Sequence, residues 1–285
     1  MRDFGLSRDF RRTRAWSEHR GWRGVRSAEW TWPRTLGHIA IGLFAGLVAG
    51  MFGVGGGVLV VPALVLVLRY PQRLATGTSL AAIVPTSIVG VVAYALTGHV
   101  QWAAGVILAV GAMAGARVGA WALPHVPTKV LQLAFSAFMA AVALSLFYVV
   151  PVRSASLEVT WLTGLALLVI GIIAGVLSGL LGVGGGGFVV PILILLMGAS
   201  DLTARGTSML MMLPAAAVAT PANLTRGNAT LAGAALIGVP GCITTVVGAW
   251  IAGVIDPHVG NILFAGFLSV VSVQLVVRAL RRPRG

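Results

Sequence analysis

One motif occurs twice in this chain, and its surroundings repeat with it. Gly-Val-Gly-Gly-Gly stands at residues 53–57 and again at residues 182–186, 129 positions later, and Val-Val-Pro follows each copy. With the same shift and no gap, Ala-Thr-Gly-Thr-Ser at 75–79 aligns with Ala-Arg-Gly-Thr-Ser at 204–208. Self-similarity at one fixed spacing indicates that the chain consists of two copies of one structural unit.

Both copies of the motif lie inside long apolar segments. Hydrophobic residues make up 58% of the 285 residues and charged residues only 9%, which is too little polar surface for a water-soluble domain. The apolar segments are long enough to cross a bilayer, for which a helix needs about 20 residues. The sequence therefore predicts an all-α polytopic membrane protein.

The basic residues are concentrated at the two ends of the chain. The formal net charge is +13, but nine of the 20 basic residues precede Thr35 and four more follow Val277, so the charge does not indicate a nucleic-acid partner. We predict that the Arg- and Trp-rich segment 1–35 is cytoplasmic or interfacial and touches anionic lipid. An organelle transit peptide is the alternative, which four acidic residues in this segment disfavour.

The apolar pattern divides the rest of the chain. We predict a first transmembrane repeat at 36–149, an external linker at 150–159, a second transmembrane repeat at 160–277 and a basic cytoplasmic tail at 278–285. Each repeat is expected to hold two short helices, one on each side of the glycine run, and three longer spans. The predicted helices are 36–52, 58–69, 74–96, 102–122 and 128–149, and then 165–181, 187–197, 203–224, 229–252 and 258–277.

The number of crossings predicts how the two repeats are related. The two short helices, whether they are re-entrant or cross fully, return the chain to its starting side. Three further spans then leave the two ends of each repeat on opposite faces, so the repeats have inverted topology. The distribution of positive charge in the loops, including Arg69, Arg73, Lys129 and Arg226, places both termini in the cytoplasm of a protein of the cell membrane.

The glycine runs are the first candidate site. Irregular backbone is tolerated at membrane depth only where protein buries it or a watery cavity meets it, and broken helices in inverted repeats mark the substrate sites of secondary transporters. Helices beginning at Val58 and Gly187 would direct their positive N-terminal ends toward an anion. Tight helix packing is the alternative explanation, and it accounts for Gly42, Gly46 and Gly50. The predicted substrate-binding glycines are Gly53, Gly55, Gly56, Gly57, Gly182, Gly184, Gly185 and Gly186.

The full pattern resembles a known family. G-x-x-x-G-x-x-G-V-G-G-G-x-x-V-V-P, followed by A-x-G-T-S, is similar to the TauE/SafE membrane permeases, the sulfite exporter or TSUP family, from Leu36 to Val277. The resemblance implies export or uptake of sulfur-containing anions such as sulfite, thiosulfate or sulfoacetate. We expect a secondary transporter that exports such anions; an anion channel, or an uptake permease for another anion such as thiosulfate, is the alternative.

Polar residues near the glycine runs complete the candidate site. Hydroxyls at matching positions of the two repeats suit sulfonate oxygens, although N-capping of the spans explains them as well; they are Thr78, Ser79, Thr207 and Ser208. Arg205 either holds an anion or is an ordinary interfacial arginine. Arg117, inside a predicted span, either binds the anion or anchors the protein near the cytoplasmic face.

Absent residue types narrow the function further. No Asp or Glu lies inside a predicted span, so we expect no carboxylate proton relay, and export is expected to run on the membrane potential. No nucleophile with a base and no set of metal ligands is visible in the spans, which predicts that the protein is not an enzyme and uses no cofactor or metal. The expected partners are a small anionic substrate and the lipid bilayer; the sequence leaves a homodimer open.

Overall fold

The computed structural model of the protein describes residues 32–123 and 160–281, with isolated residues between 127 and 144. The predicted N-terminal segment before residue 32, the linker 150–159, the last four residues and most of the predicted span 128–149 therefore lie outside the described residues. Residues from His38 onward belong to one compact unit. Of the separate unit formed by residues 1–37, the structure describes only residues 32–37.

The described parts of the two repeats have the same series of helices. The first repeat contains α1 (Trp32–Phe52), α2 (Gly57–Leu66), α3 (Gln72–Leu96) and α4 (Trp102–Ala122). The second contains α5 (Trp161–Leu181), α6 (Gly186–Met197), α7 (Asp201–Thr225), α8 (Leu231–Val254) and α9 (Pro257–Arg281). No strand occurs in the described part of the chain, and the all-α prediction is confirmed.

Six of the described helices are long and apolar enough to cross a membrane: α1, α3, α4, α5, α7 and α8. The first helix of each glycine-broken pair is longer than predicted, since α1 and α5 each have 21 residues, about 31 Å at the rise of an α-helix. The prediction started these helices where the apolar run begins. Thr160 and Thr163 instead form a capping box that starts α5 earlier. Among the described helices, only α2 and α6 are short.

Small residues let the two repeats pack closely. α1 lies against α8 at Gly42, Gly46 and Gly50, and α5 lies against α4 at three glycines 129 positions later. A Cβ atom at Gly46 would lie 2.6 Å from the Cα of Gly241, and one at Gly175 would lie 2.7 Å from the Cα of Ala112. Such distances exclude any side chain, so the packing interpretation of Gly42, Gly46 and Gly50 is confirmed.

The central helices α3 and α7 run in opposite directions. A Cβ atom at Gly77, near the start of α3, would meet the carbonyl oxygen of Asn228, which follows α7. One at Gly206, near the start of α7, would meet the carbonyl oxygen of His99, which follows α3. Helices at matching positions of the two repeats are therefore antiparallel here. The inversion of whole repeats across a bilayer stays a prediction.

Candidate functional site

Each glycine run adopts a conformation that only glycine tolerates well. The φ angles are 67°, 74° and 68° at Gly53, Gly55 and Gly56, and the three matching glycines of the second run have φ between 73° and 86°. Left-handed φ angles cost other L-residues about 1–2 kcal/mol each. These positive φ angles explain why three glycines are required in each run.

A short helix starts directly from each run. α2 begins at Gly57 and α6 at Gly186, one residue earlier than predicted, and no side chain caps either helix. The N–H groups of Leu59 and Val60 already bond to the Gly56 carbonyl, at 3.0 and 2.9 Å. The N–H groups before them have no acceptor within their own helix. They point from the helix end that carries the positive pole of the helix dipole.

The two runs contact each other. A Cβ atom at Gly57 would lie 2.7 Å from the carbonyl oxygen of Gly182, and one at Gly186 would lie 2.5 Å from the carbonyl oxygen of Gly53. Two segments that are 129 residues apart in sequence therefore meet in the interior, and the first turns of α2 and α6 lie next to each other. This contact brings all eight predicted glycines into one cluster, the glycine site.

Two serines hold the glycine runs from the opposite repeat. Ser79 Oγ donates to the Gly182 carbonyl and Ser208 Oγ donates to the Gly53 carbonyl, each at 2.9 Å. Both serines are completely buried. Because the C=O and N–H of a trans peptide point in opposite directions, each serine also fixes the direction of the N–H that follows its glycine carbonyl.

The two threonines beside these serines bind helix starts instead. Thr78 Oγ1 accepts a hydrogen bond from the Thr230 N–H at 3.1 Å, and Thr207 Oγ1 accepts one from the Gln101 N–H at 3.0 Å. They tie the starts of α8 and α4 to the opposite repeat. N-capping of their own spans was wrong as an explanation for Thr78, Ser79, Thr207 and Ser208, because α3 and α7 start at Gln72 and Asp201 and contain all four residues.

Arg205 is buried rather than interfacial. Its Nη1 donates to the Met51 carbonyl at 2.7 Å and its Nη2 lies 3.5 Å from Asp201 Oδ2. Its backbone lies against the first glycine run, since a Cβ atom at Gly53 would be 2.6 Å from the Arg205 Cα. Among the described residues, Arg205 Nε has no hydrogen-bond partner, so one buried donor remains beside the glycine site.

The buried Asp201 corrects the expectation that no acid lies within a span. Ser200 caps α7 by accepting from the Thr203 N–H at 3.2 Å, so this helix starts two residues earlier than predicted and Asp201 becomes its first residue. An acid in the first turn interacts favourably with the helix dipole. Asp201 is only 1% exposed and is paired with Arg205.

Arg117 does not belong to the glycine site. It is exposed on α4 and lines a separate surface groove together with Arg226. The geometry is consistent with the anchoring role and gives no contact between Arg117 and the glycine runs in the described part of the chain.

Two apolar residues that the sequence reasoning missed fill the space between the runs. A Cβ atom at Gly55 would lie 2.7 Å from Met212 Sδ, and one at Gly184 would lie 2.9 Å from the same sulfur and 3.1 Å from Ile83 Cδ1. Ile83 and Met212 are themselves 129 positions apart, which was the signal that could have identified them. Both are buried, and the site is closed in this conformation.

A narrow cavity touches the first glycine run only. Gly55 and Gly56 line it together with small residues of α1 and α3, among them Ala45, Ala49 and Ala82. The cavity has a volume of about 10 Å³, enough for roughly one water molecule. A substrate anion therefore needs Ile83, Met212 or the surrounding helices to move.

Comparison with known proteins adds to this geometry. The family model for "Sulfite exporter TauE/SafE" matches residues 23–281, starting before Leu36, where the resemblance described above begins. "Probable membrane transporter protein YunE" of Bacillus subtilis is 34% identical over 110 residues, which are 39% of this chain and 40% of that protein. A "Probable membrane transporter protein" of Haemophilus influenzae is 29% identical over 219 residues, 74% of each chain. No solved structure matches.

Proposed function

We infer the substrate from one premise: the chain belongs to the sulfite exporter TauE/SafE family. It is a multi-pass membrane transporter, not an enzyme, as its relatives are named membrane transporters and six described helices are able to span a bilayer. We propose that its substrate is a small sulfur-containing anion such as sulfite or an organosulfonate like sulfoacetate, and that it exports this anion.

One observation carries the proposal: the meeting of two helix N-termini at the glycine site. The first residues of α2 and α6 each touch the opposite glycine run, so backbone N–H groups and two positive dipole ends converge on one place. Without side chains at these positions, an anion is able to approach the backbone directly. Oxyanions of sulfur present several acceptor oxygens for such donors.

The buried charges support recognition by backbone groups. Arg205 lies against the first run, and Asp201 compensates its charge. Arg205 Nε is left as one further donor. Such a site prefers an anion without binding it too tightly to release it.

The membrane potential supports export. An anion leaving a cell with a negative interior gains about 2.3 kcal/mol per charge per 100 mV. We propose that this gradient drives transport, with both termini in the cytoplasm and the repeats inverted across the cell membrane. The antiparallel arrangement of α3 and α7 supports the inversion, because matching helices of inverted repeats cross the membrane in opposite directions. A single site at the interface of such repeats is able to face either side in turn.

Flux into proteoliposomes tests the proposal. The purified protein would be reconstituted with sulfite, thiosulfate, sulfoacetate, taurine, acetate and the neutral acetamide as separate substrates, with an imposed potential of either sign. We expect saturable flux of the sulfur oxyanions that follows the potential and is not inhibited by acetamide. Equal inhibition by acetamide argues against an anion site, and flux that does not saturate indicates a channel.

A further inference from the structure

A second site lies on the surface, where the C-terminal ends of α4 and α7 meet. A groove of about 380 Å³ is lined there by Arg117, Val118, Trp121, Val218, Ala222 and Arg226, among others. Val118 is 54% exposed and Trp121 is 65% exposed. Exposed apolar side chains on membrane-spanning helices face lipid, so this groove opens toward the bilayer at the end of two spans.

The groove has two positive charges and no acidic residue in its described lining. Both arginines are exposed. Arg226 Nη1 donates to the Ala120 carbonyl at 2.7 Å, which fixes its guanidinium against the last turn of α4. Arg117 makes no hydrogen bond or ion pair with any described residue. Guanidinium groups bind phosphate oxygens with a matching planar geometry, so the groove suits a phosphate group.

The positions related to this groove by the repeat show that the fold does not require these arginines. A shift of 129 positions places Val246 opposite Arg117, Thr97 opposite Arg226 and Trp250 opposite Trp121. A tryptophan is thus present at both places, as expected for a membrane interface, whereas the arginines occur only in the groove between α4 of the first repeat and α7 of the second. Their joint presence in one groove indicates a ligand that is found on one side of the membrane.

We propose that this groove binds an anionic phospholipid, with the headgroup phosphate between Arg117 and Arg226 and an acyl chain along Val118 and Val218. A soluble anion needs no apolar wall, whereas a lipid needs both parts of the groove. Basic pockets between the ends of transmembrane helices bind anionic headgroups on the cytoplasmic side. The distribution of positive charge in the loops predicts that Arg226 lies on that side.

The test uses the full-length protein, delipidated and then titrated with phosphatidylglycerol or phosphatidylcholine, with bound lipid counted by native mass spectrometry. We expect saturable retention of phosphatidylglycerol, and a loss of affinity of about tenfold or more in R117Q/R226Q, since each arginine near a membrane surface contributes about 1 kcal/mol. R73Q, which removes an exposed arginine outside the groove, is the matched control and should bind as the wild type does. Unchanged binding by R117Q/R226Q overturns the proposal.

Two further variants keep the test decisive. R117K/R226K retains the charge but not the planar geometry, so it should recover part of the binding; this recovery shows that R117Q/R226Q loses binding through its charge and not through poor folding. T97R/V246R places both charges at the positions that the 129-residue shift relates to Arg226 and Arg117, and it should add a second phosphatidylglycerol site. Glycerol phosphate serves as the soluble probe. If it competes with the lipid at equal concentration, the groove is a soluble-anion site and the lipid assignment is wrong.

Discussion

The two halves of the glycine site share a backbone but differ in their side chains. Gly56 lies against the Ala45 carbonyl and Gly185 against the Ala174 carbonyl, and a Cβ atom at either glycine would be 2.9 Å from that oxygen. The neighbours differ, because Ala82 of the first half corresponds to Met211 of the second. The cavity lies beside Ala82, whereas Met211 is completely buried.

The repeat preserves the backbone of the glycine site but not the side chains around it. The positive φ angles, the helix starts and the serine hydrogen bonds occur in both halves, as backbone recognition of a substrate requires. The side-chain volume beside the runs differs, and the cavity described above lies beside the first run. We infer that both runs contribute to binding, while their surroundings determine which half opens.

The largest expected effect concerns the helix crossings, where the two repeats are most alike. Gly42→Val and Gly171→Val should both abolish folded protein, because the new Cβ would overlap the carbonyl oxygens of Ile237 and Leu108, and a packed backbone cannot move aside cheaply. The yield of monodisperse protein in detergent measures this effect. Gly253→Val is the control, since no atom lies within 4 Å of its added Cβ. Normal yield from one crossing variant alone would show that the crossings are not equivalent, and normal yield from both would contradict the prediction.

The next effect concerns the buried ion pair, which only the second repeat has. Asp201→Gln should destabilise the protein by about 3–5 kcal/mol, because it leaves the Arg205 charge buried without its partner. The first repeat has Gln72 and Thr76 at the corresponding positions. D201Q/R205T, which copies them, should therefore recover most of the lost stability in thermal unfolding. A double variant as unstable as the single one would mean that Asp201 and Arg205 stabilise the protein by more than compensating each other's charge.

A smaller and symmetric effect is expected at the two serines. Ser79→Ala and Ser208→Ala each leave one buried glycine carbonyl without its donor, which costs about 1–3 kcal/mol. The two losses should be equal within error when measured by chemical unfolding. Ser269→Ala is the control and should cost less, because among the described residues its hydroxyl bonds to the Ala265 carbonyl of its own helix. Unequal losses of stability at Ser79 and Ser208 would show that the backbones of the two halves are not equivalent.

The smallest expected effect comes from exchanging the two residues between the runs. I83M/M212I conserves the total volume, so the change in the free energy of unfolding should stay below about 1.5 kcal/mol. Flux per folded molecule should remain close to the wild-type value, because either residue is able to fill this space. If the exchange folds normally but stops transport, the difference between Ile83 and Met212 is itself functional.

Much of the fold was accessible from the sequence because it depends on local patterns. The 129-residue repeat and the apolar segments predicted the observed bounds of α4, 102–122. They also predicted both ends of α2, α3, α6 and α7 to within three residues. The starts of α1 and α5 were missed, because capping and polar residues extend these helices beyond the apolar run. The predicted span 128–149 lies mostly outside the described residues.

The site was less accessible because it depends on contacts between distant segments. The glycine runs stood out by composition, but nothing local showed that Ser79 and Ser208 bind the opposite run. The burial of Arg205 followed from the earlier start of α7, which brought Asp201 within reach. Ile83 and Met212 look like ordinary core residues, and only their shared position in the repeat sets them apart.

The central claim is that both glycine runs bind the anion, and flux per folded molecule tests it most directly. Gly55→Ala and Gly184→Ala would be compared with Gly98→Ala and Gly198→Ala in proteoliposomes containing equal amounts of folded protein. All four positions have positive φ, so each substitution brings similar backbone strain, but an added Cβ meets nothing within 4 Å at Gly98 and Gly198. We predict that both run variants lose about tenfold or more in flux, equivalent to ~1.4 kcal/mol, and that both controls keep it. Equal behaviour of all four variants, or normal flux in Gly184→Ala, would contradict the claim.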